Sequence, residues 1–186
     1  VDSIIFRDID WMDSTEIVAP IAPRNVFYLW LGPPHPTRII NGKPEKVDLL
    51  ESEEEYEFPA PAGKQKIYTF TNDPDIVLVS KFSRKKIPYI EAKMGICMGG
   101  MEMKDVWIKA ISEQTAKHEG AENMFDLFGQ SLNYNTNFKE FYDQGILKDG
   151  MLAASVEVTG KKDGVTIRHT AFHATTMREA MKHIPW

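Results

Sequence analysis

The spacing of apolar and polar positions changes several times along the chain. Residues 1–10 hold Ser3-Ile4-Ile5-Phe6-Arg7-Asp8-Ile9, a β-rich run with partial alternation that predicts a strand, and Trp11 to Thr15 reads as a polar turn. Pro20 and Pro23 lead into the apolar segment Asn25-Val26-Phe27-Tyr28-Leu29-Trp30-Leu31. Pro23 suits a first helical turn and Gly32-Pro33-Pro34 supplies a stop, so a short helix is expected over 23–31. Asn41-Gly42 is a strong hairpin signal, because both residues accept positive φ; it predicts strands over 38–40 and about 44–49. The acidic run Glu51-Ser52-Glu53-Glu54-Glu55 reads as a solvated loop, and Gln65 to Thr71 alternates as a strand.

Ile76-Val77-Leu78-Val79 follows the punctuation Asp73-Pro74-Asp75 and fits either a buried strand or a short helix. Ile87 to Met94 predicts a strand, ended by Gly95, Gly99 and Gly100. Met103, Val106, Trp107, Ala110 and Ile111 form an apolar stripe that predicts a helix over 103–117. Asn135 or Thr136 caps a second helix running to about Gln144, with Gly145 at its end. Residues 151–159 and 165–174 are two long β-type runs joined by the loop 160–164, and a threonine-capped helix starts at 175. Strands outnumber helices and do not alternate strictly with them. The expected fold is α+β: a mixed, largely antiparallel β-sheet with helices packed on one face.

Composition narrows the function. The 186 residues are 42% hydrophobic and 26% charged, which is globular, and nothing long enough to be a linker divides them. The formal charge of −5 speaks against a nucleic-acid partner. Cys97 is the only cysteine, so neither an internal disulfide nor a multi-cysteine zinc site is available. No run reaches the roughly 18 apolar residues of a membrane span, so no membrane partner is expected. No signal-peptide pattern is present, and a cytoplasmic location is the expectation. Val1 in place of an initiator methionine, and the bare ending at Trp186, point to a piece of a longer protein.

Candidate chemistry is sparse. A P-loop needs Lys and then Ser or Thr after its last glycine; Met101 and Glu102 follow Gly99-Gly100, and the dinucleotide fingerprint G-x-G-x-x-G occurs nowhere. His169 and His173 share one face of a predicted strand but stand roughly 13 Å apart, too far to chelate one metal. Cys97 has no neighbouring histidine and fits an inert buried thiol better than a nucleophile. Arg24, at the start of the predicted helix 23–31, has the fork geometry to hold a carboxylate, against the alternative of a surface ion pair. Lys93, at the end of the predicted strand 87–94, either meets an anion or is solvated, the solvated state being the commoner one.

Several segments taken in order resemble the saccharopine dehydrogenase-like family. Glu55-Tyr56-Glu57-Phe58-Pro59-Ala60-Pro61-Ala62-Gly63-Lys64-Gln65-Lys66-Ile67-Tyr68 resembles that family's acidic F-P-x-P-x-G stretch leading into a strand. Thr15 to Arg24 resembles its segment before a helix, and Gly32-Pro33-Pro34 and Asn41-Gly42-Lys43 fall in the same order. Lys93-Met94-Gly95 matches a K-x-G position, Gly145-Ile146-Leu147 a G-L-L, and Val156 to Gly164 a V-x-V-x-G-x-x-x-G hairpin. Where the family has a histidine and a threonine, this chain has Asn72 and Val77.

The matched region is the family's second, substrate-binding and dimerisation domain, covering residues 1–186, without the Rossmann part. The resemblance implies that the intact parent is an NAD(P)-dependent oxidoreductase acting on the C–N bond of an amino acid or related amine. It implies that NAD or NADP binds the parent and not this chain alone, and that the partners are an amino-acid-like substrate and a second copy joined through the sheet. It places Arg24, and with it Lys93, toward the substrate. A non-catalytic ligand-binding or oligomerisation module of the same fold is the alternative, followed by an unrelated α+β carrier domain.

Overall fold

The computed structural model describes residues 1–16, 36–48, 50–69, 73–102, 104–105 and 138–181. In chain order these form β1 (Ser3–Ser14), β2 (Thr37–Ile40), β3 (Lys43–Lys46), β4 (Glu54–Glu57), β5 (Lys64–Thr69), α1 (Asp73–Phe82), β6 (Tyr89–Met98), β7 (Met101–Glu102), α2 (Phe138–Asp143), β8 (Leu147–Lys162), β9 (Val165–Thr176) and α3 (Met177–Met181). The strands hydrogen-bond in the order β3-β2-β6-β1-β8-β9, with β5 and β7 also paired to β6 and β4 paired to β5. Pairs β2–β3, β2–β6, β4–β5, β5–β6 and β6–β7 are antiparallel. β1 and β6 run in the same direction: the Tyr89 amide donates to the Asp2 carbonyl, and further along Gly95 lies against Ile9. The sheet is therefore mixed and largely antiparallel, and the fold is the expected α+β class.

The chain divides into two compact units. The first comprises Val1–Ile9, Pro33–Gly95 and Ala153–Ala174. Its apolar core gathers Ile39, Ile76, Ile87, Ile90 and Ala92, with Ile4, Phe6 and Val79 packed against them. Ile76 and Val79 come from α1, which settles the ambiguous apolar run as a helix: Pro74 sits in its first turn, where a missing N–H costs nothing, and i, i+3 spacing puts Ile76 and Val79 together. Each fully buried isoleucine here contributes roughly 1.5–3 kcal/mol relative to exposure. The hairpin turn between β2 and β3 is as expected, with Asn41 at φ 52 and Gly42 at φ 69.

The second unit comprises Asp10–Gly32, Ile96–Leu152 and Thr175–Trp186. In it Gly145, at φ 71, ends α2, and Ile146 donates back to the Phe141 carbonyl. Thr176 caps α3 by accepting from the Glu179 amide at 3.2 Å, the threonine cap expected from the sequence. The Arg178 guanidinium lies 4.1 Å from the Tyr142 ring centroid.

Four expectations change. Trp11 to Ser14 is strand, not turn: the buried Met12 and Ser14 share one face and the exposed Asp13 between them points the other way. Glu54 and Glu55 belong to β4, so the acidic run is a loop only in its first half. Gly95 does not end β6: added bulk there would collide with Ile9 and the Lys66 carbonyl, and glycine permits the close approach that lets the strand continue. The β8–β9 connection is a two-residue turn, Asp163-Gly164, both at positive φ, instead of a five-residue loop. The expected helix over 23–31, and that over 103–117 except Lys104 and Asp105, which are helical, lie outside the described residues.

Candidate functional site

Successive residues of a strand point to opposite faces, and β6 uses both. Ile90 and Ala92 face the apolar core, while Tyr89, Glu91 and Lys93 face the other way. There they enter a buried charge network, all of it within the first unit.

Glu91, only 2% exposed, is one centre of that network. Its Oε1 accepts from Thr69 Oγ1 at 2.9 Å and from Arg38 Nη1 at 3.1 Å; its Oε2 accepts from the Tyr89 hydroxyl at 2.5 Å and lies 3.9 Å from Lys93 Nζ. Arg38 is placed by β2, Thr69 by β5, and Tyr89 and Lys93 by β6 itself. The β2–β6 register sets Arg38 near Tyr89 through Ile40↔Tyr89, and the β5–β6 register sets Thr69 opposite Lys93. Burial pushes the Tyr89 phenol up to about 12; its hydrogen bond to Glu91 and that carboxylate's charge add to the effect, and Arg38 opposes it.

Glu54 is the other centre. Its Oε1 accepts from Arg7 Nε at 2.9 Å, and its Oε2 lies 2.9 Å from Lys93 Nζ. Lys93 also donates to the Ser52 carbonyl at 3.0 Å, and the Ser52 hydroxyl accepts from Arg38 at 3.1 Å. The other side of Arg7 meets Glu157 of β8 at 3.6 Å, and Glu157 in turn lies 3.6 Å from the exposed Arg168. The Tyr56 ring of β4 lies 4.7 Å from the Arg7 guanidinium and is stacked at 6.2 Å on Phe172 of β9. Buried without a hydrogen-bond partner are Arg7 Nη1, Arg38 Nε and Ser155 Oγ.

The network sets three cations, Arg7, Arg38 and Lys93, against three carboxylates, Glu54, Glu91 and Glu157. Charges this far from water persist only when paired and hydrogen-bonded, and removing one member leaves its partner stranded. Chemically, the arrangement can orient and neutralise a carboxylate.

Of the residues singled out by sequence, Lys93 lies inside this network, with its side chain 10% exposed instead of solvated. Arg24 and Asn72 lie outside the described residues, as does the side chain of Val77. Cys97 is half-buried in β6, and His169 and His173 lie on the exposed strand β9. Among the described residues no cluster of three or more His, Cys, Asp or Glu side chains could hold a metal, and no helix is long and apolar enough to cross a membrane. Arg7, Arg38, Glu91 and Glu157 are not singled out by sequence, and Glu54 reads there as solvated. The available signal was a charge at every second position inside an apolar strand, as in Ile90-Glu91-Ala92-Lys93-Met94.

The mixed sheet, with α1 covering one face of the first unit, is an α+β fold shared with a known dehydrogenase. A solved structure similar to this chain is that of apo, histidine-tagged saccharopine dehydrogenase (L-Glu forming) from Saccharomyces cerevisiae, with a TM-score of 0.53 and 10% identity. The match covers 95% of this chain and 53% of that one, so the chain spans about half the length of that enzyme. At this identity the likeness establishes a distant relationship of fold. No family model matches the sequence, and no curated protein matches it.

Proposed function

We propose that this chain is the substrate-facing domain of an NAD(P)-dependent oxidoreductase that acts on the C–N bond of an amino acid or related amine. The observation that carries the reading is the fold likeness over 95% of the chain to a saccharopine dehydrogenase nearly twice as long. The colinear segments from Thr15 to Gly164 support it independently. In this reading a dinucleotide-binding domain outside these 186 residues holds the nicotinamide, which supplies hydride transfer. This domain binds and orients the substrate, with Arg24 and Lys93 directed to its carboxylate. Two copies associate through the sheet.

The test compares calorimetric titrations of the 186-residue chain and of the full-length encoded protein with NADH and NADPH. The isolated chain is expected to bind neither and the full-length protein one of them. Tight binding by the isolated chain, or none by the full-length protein, overturns the proposal.

One observation favours a second reading, a non-catalytic module of the same fold: Lys93 is already engaged by Ser52, Glu54 and Glu91. A full-length protein that binds cofactor but oxidises no amine or amino acid across a broad panel selects this second reading.

A further inference from the structure

We propose that Arg7 and Lys93 form a carboxylate-binding subsite that the chain's own Glu54 occupies as a stand-in for a ligand carboxylate. The inference deepens the oxidoreductase reading by assigning a specific position to the substrate's acid group.

Three observations carry it. The first is geometric. Glu54 bridges a guanidinium and an ammonium, one oxygen 2.9 Å from each, which is how a free carboxylate is held by an Arg–Lys pair. The cations stand on β1 and β6 of the sheet. The carboxylate comes from β4, which pairs with β5 through Glu54–Glu57. The Glu54 side chain is 26% exposed, against 6% for Arg7 and 10% for Lys93, so it is the most solvent-accessible of the three.

The second is incomplete satisfaction. A guanidinium presents a planar fork suited to two-point recognition. Glu54 accepts from Arg7 Nε, while Nη1 is buried with no hydrogen bond, 3.6 Å from a Glu157 carboxylate oxygen. Nη1 belongs to the Glu157 side of the guanidinium, so Glu54 holds Arg7 at a single point, through Nε.

The third is charge. Among the described residues, Glu54 is the carboxylate nearest Lys93 Nζ and the one hydrogen-bonded to Arg7 Nε. Without it Lys93 keeps Glu91 at 3.9 Å and Arg7 keeps Glu157 at 3.6 Å, a carboxylate shared with the exposed Arg168. Glu54 and a ligand acid group thus compete for one place, and the acidic segment acts as an internal competitor.

The experiment titrates glutarate into the 186-residue chain, wild type and Glu54→Gln, by calorimetry without cofactor, with sodium sulfate as a parallel titrant. Glu54→Gln keeps the side-chain shape and removes the charge. It is expected to bind glutarate about tenfold more tightly than wild type, because the internal competitor is gone. In that background Arg7→Lys, which keeps the charge and loses the fork, is expected to reverse the gain. A folded Glu54→Gln that binds glutarate no better than wild type overturns the proposal, and so does an equal gain toward sulfate. If Glu54→Gln folds poorly, its melting temperature is followed with added glutarate against sodium chloride of equal ionic strength. A selective rise with glutarate supports the subsite, and equal shifts overturn it. Because no cofactor is present, failure here leaves the oxidoreductase reading to the NADH and NADPH titrations.

Discussion

The Tyr89 hydroxyl donates to Glu91 Oε2 at 2.5 Å, and the two side chains share one face of β6 two residues apart. Burial first, and then Glu91, hold the phenol proton to about pH 12 in the folded chain, against an ordinary value of 10.0. Between those values the unfolded chain has released a proton that the folded chain keeps. The contribution to stability is therefore complete below pH 10 and is lost as pH rises through 12. Urea unfolding midpoints of wild type should fall more steeply from pH 9.5 to 11.5 than those of Tyr89→Phe. Parallel slopes would show that Tyr89 does not carry the effect.

Removing Glu91 should be costly. Glu91→Ala strands the Arg38 guanidinium and leaves Thr69 and Tyr89 without their acceptor, for an expected loss of about 3–5 kcal/mol. The Lys64–Glu55 pair is also short, at 2.6 Å, but its side chains are 60% and 56% exposed and screened by solvent, so Glu55→Ala should cost far less than Glu91→Ala. Denaturant unfolding of the two variants side by side measures the contrast, and similar losses would count against a structural role for the buried network.

What could be read in sequence was local. Asn41-Gly42 forms its turn because φ preferences act within two residues, and the Thr176 cap is likewise set by its own neighbours. The strand-rich α+β class followed from the number and spacing of β-type runs. The charge network was illegible because its pairs are distant: Arg7 and Glu54 are 47 residues apart, and Arg38 and Glu91 are 53 apart. Lys93 was noticed for its place before Gly95, but only the fold brings Ser52 and Glu54 to it. Glu54 itself, in a run of acids, reads as solvated until β4 pairs with β5 and brings the carboxylate to Arg7.

Gly95→Ala tests the tight packing around β6. A methyl there would lie 2.8 Å from both Ile9 Cδ1 and the Lys66 carbonyl oxygen, and a backbone carbonyl paired in a sheet cannot step aside. The expected loss is about 2 kcal/mol or more from overpacking. At Gly100, φ is +71 and nothing lies within 4 Å, so Gly100→Ala should cost only about 1 kcal/mol of backbone strain. Thermal unfolding should rank Gly95→Ala as the more damaging change.

Cys97 should react slowly. Burial, and secondarily the charge of Glu102, hold its thiol above its ordinary value of 9.0. At pH 8 a disulfide reagent should modify the folded chain more slowly than the same chain in urea, and the folded-state rate should still be climbing above pH 9. Equal rates at pH 8 would mean that the thiol is more open than its surroundings indicate.

The two-faced character of β6 has a consequence for how the chain finds its alignment. A slip of one position would turn Glu91 and Lys93 into the oily layer with Ile39 and Ile76, and would turn Ile90 and Ala92 toward Arg7 and Glu54. Either exchange alone is penalised, one by stranded charge and the other by wetted hydrocarbon. The strand's alignment is thus proofread from both sides at once.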